Sequence, residues 1–231
     1  VMNKKGEINT LLPFFETKIK TISLENIDTS ISTNPLLDKN HKIKSIHDAV
    51  IYGIKEYFSK LGLTKAVLGL SGGIDSAMVC YFAVKALGKE NVTSVLLPSE
   101  YSSDHSINDS VALCANLDTP HEIVNINDVV QSAKKTLSPF FEGSRIRDED
   151  VTEENIQART RGLLLMAFSN KFGQILLNTT NKSEAAVGYG TLYGDMCGGI
   201  SVIGDVYKTE LYEIAKWVNR DKEIIPNNII H

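Results

Sequence analysis

Apolar runs alternate with helical patterns along most of the chain. Apolar residues recur at helical spacing over positions 43–58, and the uninterrupted run that follows at 66–70 predicts a short buried strand. The same alternation continues in predicted strands at 92–97, 122–126 and 174–178 and in predicted helices at 77–87, 104–117, 128–137 and 152–172. Apolar strands separated by amphipathic helices are typical of a parallel sheet that is covered on both faces. We therefore predict the α/β class, with a doubly wound parallel sheet flanked by helices.

The first forty residues follow a different pattern. Two short apolar segments flank a glycine-bearing turn at 4–6, which predicts a β-hairpin. A polar, proline-containing stretch follows at 23–40 and predicts a linker. Because two strands alone are marginally stable, we expect the hairpin to belong to a sheet that this chain does not otherwise contain. The predicted division is a short hairpin with its linker at 1–40 and one α/β domain at 41–231.

Composition narrows the class of protein. The chain has 231 residues, 24 Lys and Arg against 28 Asp and Glu, and 42% hydrophobic residues, which suits one large globular domain. The formal charge of −4 argues against a protein that binds nucleic acid through its overall field. The apolar runs are far too short for a transmembrane helix, so no membrane partner is expected. No basic-then-apolar signal segment follows Val1, and we expect a cytoplasmic fragment of a longer protein.

The sharpest motif lies between the predicted strand at 66–70 and the helix after it. Residues 71–76 have the sequence SGGIDS, in which the two glycines allow backbone angles that turn successive N–H groups toward one point. The two serine hydroxyls and the positive end of the following helix complete an anion cradle. Asp75 suits such a cradle only if a cation lies between it and the anion, which predicts Mg²⁺ held with a phosphate chain.

Other phosphate and metal motifs do not match. A Walker P-loop requires a lysine that is missing here, and the glycines at 188–194 fall one position away from a dinucleotide fingerprint. Three cysteines without C-x-x-C spacing and five histidines without H-E-x-x-H spacing indicate neither a disulfide framework nor a zinc site. The alternative for residues 71–76 is a glycine-rich turn without a ligand, although Asp75 and two hydroxyls exceed what a turn requires.

Residues 71–76 resemble the SGGxDS loop of the PP-loop ATP pyrophosphatases, enzymes that split ATP between its α and β phosphates. Four further strings follow in order: ENIQARTR at 154–161, NTTNKSE at 178–184, GYGTLYGD at 188–195 and GDVYKT at 204–209. Together they are similar to the synthetase domain of NAD⁺ synthetase, over about residues 41–231. The resemblance implies the adenine-nucleotide α-hydrolase-like fold for this part of the chain.

The resemblance implies an ATP-dependent amidation. The carboxylate of nicotinate adenine dinucleotide (deamido-NAD⁺) attacks the α phosphate of ATP and releases pyrophosphate, and ammonia then displaces AMP to leave NAD⁺. No protein nucleophile is required, because AMP is the leaving group. The protein must hold two anionic substrates together and neutralise developing charge. The expected ligands are therefore ATP, deamido-NAD⁺, ammonia and Mg²⁺.

The resemblance also assigns roles to residues, each at a position that matches a family motif. The implied ATP-binding residues are Gly69, Leu70, Ser71, Gly72, Gly73, Ile74, Asp75, Ser76 and Thr179. The implied contacts with deamido-NAD⁺ are Asn155, Arg159, Glu184 and Asp195. Asp75 and Glu184 are the implied Mg²⁺ ligands and, with the phosphate-facing Lys208, the implied catalytic residues.

Several of these residues have a simpler interpretation. Asn155, Arg159 and Arg161 could form the solvated face of an amphipathic helix. Glu184 could be a helix-surface acid, and Lys208 could lie at a helix start without a ligand. Two other functions stay open: another PP-loop synthetase that amidates a nucleotide base or modifies tRNA, or a nucleotide-binding module without catalysis.

One position departs from the stand-alone members of the family. Leu192 stands where many ammonia-using members carry lysine, and the string TLYGDM around it resembles the branch fused to a glutamine-hydrolysing, nitrilase-like domain. The predicted hairpin is similar to the end of such a domain, so residues 1–40 would be its remnant with a linker. Ammonia would then come from glutamine hydrolysed upstream in the full-length chain. The family also implies a homo-oligomer and a further segment beyond His231.

Overall fold

A computed structural model describes residues 1–29, 38–100, 102–141 and 151–231. In these ranges parallel strands form one sheet from β1 (Ala66–Gly69), β2 (Val92–Leu96), β3 (His121–Ile123), β4 (Ile175–Asn178) and β5 (Ile200–Ser201). The helices are α1 (Lys39–Lys60), α2 (Ile74–Leu87), α3 (Asp104–Leu117), α4 (Asn127–Phe141), α5 (Val151–Phe172), α6 (Lys182–Val187), α7 (Lys208–Val218) and α8 (Asn227–Ile230). Their alternation confirms the predicted α/β class.

The sheet has the strand order β3-β2-β1-β4-β5. The first strand, β1, is central, β2 and β3 are added on one side of it, and β4 and β5 are added on the other. On one side of β1, Ala66 lies opposite Val92 of β2, and on the other side it lies opposite Ile175 of β4. The winding therefore reverses between β1 and β4. Because ligands of open parallel sheets bind beyond the carboxyl ends of the strands at such a reversal, the segments at 70–76 and 179–184 meet where a site is expected.

Helices cover both faces of the sheet. α1, α2, α3, α7 and α8 pack on one face, and α4 and α5 pack on the other. The side chains of β1 alternate accordingly, because Ala66 and Leu68 are fully buried in the larger apolar cluster and Val67 is fully buried in the smaller one. A strand that is buried on both faces has a continuous apolar run, which is the pattern that predicted β1.

α2 begins earlier than its apolar pattern predicted. The expected start was position 77, whereas the helix begins at Ile74 with Gly73 as its N-cap. Asp75 and Ser76 thus lie in the first helical turn instead of in a loop. An acidic side chain suits this turn, since its backbone N–H groups lack helical partners and carry the positive end of the dipole.

The N-terminal hairpin is less regular than predicted. One antiparallel bridge joins Met2 to Ile8 across a turn in which Gly6 has a φ of +79°, and the two expected strands extend no further. The linker region contains a 3₁₀ turn at Leu24–Asn26, and its positions 30–37 lie outside the described residues. The hairpin is therefore reduced to a single bridge, as expected for two strands without a sheet to join.

Two ring contacts join this N-terminal segment to α1. The ring of Phe14 lies 5.7 Å from that of His41, and the ring of Phe15 lies 5.7 Å from that of Tyr52, between centroids. Both phenylalanines stay exposed, so the packing is shallow. The division into a remnant at 1–40 and a domain at 41–231 stays a prediction.

Short elements account for most of the other differences. β3 covers His121–Ile123 instead of 122–126, and β5, α6 and α8 are too short for a period to show in the sequence. α7 was not predicted either, although it buries residues at helical spacing, namely Leu211, Ile214, Ala215 and Val218. No helix within the described ranges is long and apolar enough to cross a membrane.

Candidate active site

The segment after β1 closes on itself through hydroxyl hydrogen bonds. The Ser71 N–H donates to Ser76 Oγ at 3.2 Å, and the two hydroxyl oxygens lie 3.1 Å apart. The Gly73 N–H donates to Ser71 Oγ at 3.3 Å, and the Ser76 hydroxyl donates to the Gly73 carbonyl at 3.1 Å. This network holds residues 71–76 at the N-terminus of α2, whose positive end attracts anions.

Gly72 brings this loop against α3. Its φ of +82° lies in the left-handed region, and an added Cβ would stand 2.7 Å from both the Ser106 Cα and the Ser106 carbonyl oxygen. Backbone atoms cannot move aside as the end of a flexible side chain can, so only glycine fits at position 72 without a shift of the backbone. The residue type therefore fixes how closely α3 can approach the loop.

The Asp75 carboxylate accepts a hydrogen bond at each oxygen. Asn181 Nδ2 donates to Oδ1 at 2.8 Å, and Lys208 Nζ donates to Oδ2 at 2.8 Å. The Lys208 side chain is 42% exposed and the Asp75 side chain 16%, while Asn181 is fully buried. The three residues come from α2, the turn before α6 and the start of α7, so they meet because β1 and β4 are neighbours in the sheet.

Lys208 is held as a cation at an unusual place, the first residue of α7, where the helix dipole disfavours positive charge. Burial lowers its pKa, but the hydrogen bond and charge of Asp75, followed by the charge of Glu184, outweigh burial and raise the pKa above its ordinary value. The Lys208 N–H donates to Ser183 Oγ at 3.1 Å, which fixes the helix start against α6. The carboxylates thus compensate for the unfavourable helix position.

Glu184 and Asn181 cap α6 reciprocally. The Glu184 N–H donates to Asn181 Oδ1 at 3.0 Å, and the Asn181 N–H donates to Glu184 Oε2 at 3.1 Å, which forms a capping box. Asn181 also donates to Asp75, so this one residue is hydrogen-bonded to both of the predicted metal-facing carboxylates, Asp75 and Glu184.

A cavity of about 460 Å³ opens beyond the carboxyl ends of β1, β2 and β4. Predicted site residues that line it are Gly69, Leu70, Ser71, Thr179 and Asp195. Its apolar walls include Leu97 after β2 and Leu165 of α5. The volume falls in the range of roughly 300–1,000 Å³ that is typical of small-molecule sites.

Asn155 and Arg159 contact the turn-rich segment that follows α6. Thr191 Oγ1 donates to Asn155 Oδ1 at 2.8 Å, and Arg159 Nε donates to the Leu192 carbonyl at 3.2 Å. Asp195 Oδ1 accepts the Thr191 N–H at 2.6 Å. Three of the four predicted dinucleotide-contacting residues thus organise one segment beside the cavity, and their contact with a substrate stays a prediction.

Comparison with known proteins identifies the family of this chain. The family model described as NAD synthase matches residues 46–231. The chain belongs to the NAD synthase family. It is 43% identical over 234 residues to the glutamine-dependent NAD(+) synthetase of Synechocystis sp., an alignment that covers 99% of this chain and 41% of that protein. It is 55% identical over 183 residues to the enzyme of the same name from Thermotoga maritima, covering 78% of this chain and 31% of that protein.

A solved structure of the NAD synthase family has the same fold. The glutamine-dependent NAD⁺ synthetase from Acinetobacter baumannii, in complex with ADP, matches with a TM-score of 0.80 and 42% identity over 87% of this chain and 37% of that one. These findings confirm both the family resemblance and the adenine-nucleotide α-hydrolase-like fold. The chain spans about two-fifths or less of the length of these relatives.

Two residues of this NAD synthase domain were not predicted as site residues. Asn181 could have been found from the N-x-x-E pattern at 181–184, which predicts a capping box. Arg161 lines the cavity and donates from Nε to the Leu97 carbonyl at 3.2 Å. Arg161 is half-buried and its burial lowers its pKa, so this residue does not lie on a fully solvated helix face.

Proposed function

We propose that this chain is the synthetase part of a glutamine-dependent NAD⁺ synthetase and forms NAD⁺ from deamido-NAD⁺, ATP and ammonia. Membership of the NAD synthase family supports this assignment, as do relatives that carry the name. The observation that carries the proposal is the meeting of the 71–76 loop with Glu184 and Lys208 where β1 and β4 end. An anion cradle, an ammonium group and two carboxylates at one place suit a reaction between a polyphosphate and a carboxylate.

The proposed reaction has two balanced steps. A carboxylate oxygen of deamido-NAD⁺ forms a bond to the α phosphorus of ATP, while the bond from that phosphorus to the bridging oxygen breaks and pyrophosphate leaves. The nitrogen of ammonia then attacks the acyl carbon, the bond from that carbon to the AMP oxygen breaks, and a proton is released. The protein contributes alignment of the reactants and stabilisation of phosphate charge rather than a covalent group.

ATP would lie across the loop and the cavity. The phosphates suit the 71–76 loop, because the α2 N-terminus and Lys208 offer positive charge there. Ile74 and Ser76 are buried, so Ile74 would contribute backbone groups and Ser76 would hold the loop through Ser71. The nucleoside suits the cavity beside Thr179, and ADP in the Acinetobacter baumannii relative supports the use of an adenine nucleotide.

Deamido-NAD⁺ would bind on the α5 side of the cavity. Asn155 and Arg159 contact the segment after α6 there, and Asp195 of that segment lines the cavity. Glu184 would lie between the two substrates, since hydrogen bonds join it to Asp75 through Asn181 and it lies in α6, just before the segment at 188–195. This arrangement would bring the nicotinate carboxylate toward the α phosphate of ATP.

Asp75 and Glu184 fit a Mg²⁺ site that is shared with the phosphates. Both supply oxygen ligands, and Mg²⁺ in nucleotide sites is usually held by one or two carboxylates with phosphate oxygens and water. Among the described residues, no group of three or more His, Cys, Asp or Glu could hold a metal ion by itself. The ammonium of Lys208 on Asp75 Oδ2 supports the fit, because this oxygen already faces a cation. When bound, Mg²⁺ would neutralise phosphate charge.

Ammonia would come from glutamine in the full-length protein. The relatives from Synechocystis sp. and Thermotoga maritima are named glutamine-dependent, and this chain spans 41% and 31% of their respective lengths. An upstream nitrilase-like domain, of which residues 1–40 would hold the end and a linker, would hydrolyse the glutamine. In line with the family resemblance, we further propose a cytoplasmic homo-oligomer without nucleic-acid or membrane partners.

ATP–pyrophosphate exchange with and without deamido-NAD⁺ tests the proposal. Because the first step is reversible, labelled pyrophosphate should enter ATP only when deamido-NAD⁺ is present, both in the full-length protein and in this chain. Ammonium should then yield NAD⁺, whereas glutamine should serve the full-length protein alone. Exchange that depends on another acceptor would indicate a different PP-loop synthetase, and ATP binding without exchange would indicate a catalytically silent domain.

A further inference from the structure

Asn181 joins the two carboxylates of the proposed site. Its side chain is fully buried between the end of β4 and the start of α6. The amide nitrogen donates to the carboxylate of Asp75, 106 positions earlier in the chain, and the amide oxygen accepts the backbone N–H of Glu184. The backbone N–H of Asn181 donates to the Glu184 carboxylate. Both ends of one short, immobilised side chain are thus occupied by the residues that face the proposed metal.

A helix cap alone does not explain an amide at this position. Serine, threonine or aspartate would accept the Glu184 N–H equally well, since N-capping uses a side-chain oxygen. Aspartate has no donor, and a serine or threonine hydroxyl lies one bond nearer the backbone, so only asparagine caps the helix and also reaches Asp75 with a donor. The carboxylate that it binds is 16% exposed. Hydrogen bonds to a charged group are roughly twice as strong as neutral ones, so the donor is the distinctive feature of Asn181.

The two partners of Asp75 differ in mobility. Asn181 is fully buried and short, whereas the Lys208 side chain is long and 42% exposed. Oδ1 is therefore anchored by a fixed group, and Oδ2 is bound by a group that can leave toward solvent. The anchored oxygen fixes the plane of the carboxylate, and the other oxygen stays directed at the place where the ammonium now lies.

We infer that Asn181 is a positioning residue, which holds Asp75 and Glu184 in one arrangement so that Asp75 Oδ2 meets either the Lys208 ammonium or the divalent cation that accompanies ATP. The inference rests on the proposed function, because it concerns the metal of that reaction. Asn181 touches neither substrate nor metal in this role. It acts through the two carboxylates, as residues behind metal ligands commonly do.

Manganese binding tests the inference directly. Mn²⁺ affinity is measured by electron paramagnetic resonance in the presence of α,β-methylene-ATP, with melting temperature and circular dichroism recorded for each variant. Asn181→Ser keeps the cap of α6 but loses the reach to Asp75, and it should weaken Mn²⁺ binding by about tenfold or more while the fold persists. Asn181→Gly, also tolerated at N-caps, is the second variant should the first prove insoluble.

The control removes the N-cap of a different helix. Asp38 caps α1 by accepting the N–H groups of Asn40 and His41 at 3.3 and 3.2 Å. Asp38→Ala should lower the melting temperature without changing Mn²⁺ affinity. Mn²⁺ affinity in Asn181→Ser equal to that of the unchanged chain would overturn the positioning role and leave the proposed function standing. An unchanged chain that binds no Mn²⁺ with the nucleotide would overturn the proposed metal site and this inference together.

Discussion

At the scale of single residues, the charge balance of the site depends on Asp75. Its carboxylate binds the ammonium of Lys208 at the dipole-disfavoured start of α7 and takes part in raising the Lys208 pKa. With the phosphates of ATP present, the same carboxylate would face a cation that belongs to the nucleotide. Asp75, which balances the charge of Lys208 in the free protein, is thus suited to bind the cation of the nucleotide in the complex with ATP.

Replacing Asp75 should therefore reduce the first chemical step more than folding. Asp75→Ala should lower deamido-NAD⁺-dependent pyrophosphate exchange by about 10²–10³, as expected when charge stabilisation in a transition state is removed. The matched control is Asp221→Ala, which breaks an exposed ion pair with Arg220 and should leave the rate unchanged. Full exchange by Asp75→Ala at saturating Mg²⁺ would contradict a metal-binding role for Asp75.

At the scale of elements, the position of the loop depends on how closely α3 packs against it. Hydrogen bonds between serine hydroxyls close the loop, and at Gly72 the loop lies against Ser106 of α3. An added Cβ at Gly72 would meet backbone atoms of Ser106, and for that reason the clash could not be relieved by a side-chain rotation. The geometry of the anion cradle is thus coupled to a helix that carries none of the predicted site residues.

A comparison of two glycines separates this packing from backbone strain. Gly62, at the end of α1, has a φ of +67° with nothing within 4 Å of an added Cβ, so Gly62→Ala should cost only about 1–2 kcal/mol of strain. Gly72→Ala adds a clash at 2.7 Å to similar strain and should lower the melting temperature further. It should also weaken ATP binding in calorimetry by at least about tenfold, because the N–H groups leave their positions. Equal effects of the two substitutions would contradict the role of α3.

At the scale of the whole molecule, α1, α2 and α7 meet around the buried His47. Its ring lies 4.9 Å from the ring of Trp217 on α7, and its Nε2 lies 3.0 Å from the Tyr81 hydroxyl on α2. α2 carries Asp75 at its start and α7 carries Lys208 at its start. The cluster therefore holds together the helices whose first turns form the site.

This cluster predicts that stability falls in mild acid. Burial is the largest influence on His47 and lowers its pKa, aided by Lys44 and Lys85 and opposed by the bonded carboxylate of Asp48. A folded pKa below the unfolded value of about 6.5 means that the unfolded chain binds more protons, so stability is lost as pH decreases through that value. His47→Gln should reduce the drop in melting temperature between about pH 7.5 and pH 5.5.

The control for the pH experiment is the exposed His121. His121→Gln should keep the pH dependence of the unchanged chain. The measured quantity is the difference between the two melting temperatures, so a general loss of stability in either variant does not affect the comparison. An unaltered difference in His47→Gln would show that acid lability arises elsewhere.

Local patterns in the sequence were sufficient for the fold class and for the loop. Buried strands and amphipathic helices reveal themselves within ten to twenty neighbouring positions, since the period of side-chain burial is a local property. The SGGIDS string needed only the strand before it and the helix after it to indicate an anion cradle. The family strings then pointed to the reaction, and the comparisons confirm the family. Individual roles for residues such as Asn155 and Thr179 stay predictions.

The strand order of the sheet decided which distant parts of the chain meet at the site. Lys208 and Asp75 are 133 positions apart, and Asn181 and Asp75 are 106 apart. No periodicity specifies that β4 pairs with β1 on the side opposite β2, because that choice depends on how all the helices pack around the sheet. The sequence by itself therefore determined the longer strands and helices of the central sheet and the chemistry of one loop. The family strings named Asp75, Glu184 and Lys208, but only the tertiary structure decided that Asn181 and Lys208 would bind the Asp75 carboxylate, because the three residues lie far apart in the chain and meet only beyond the carboxyl ends of neighbouring strands.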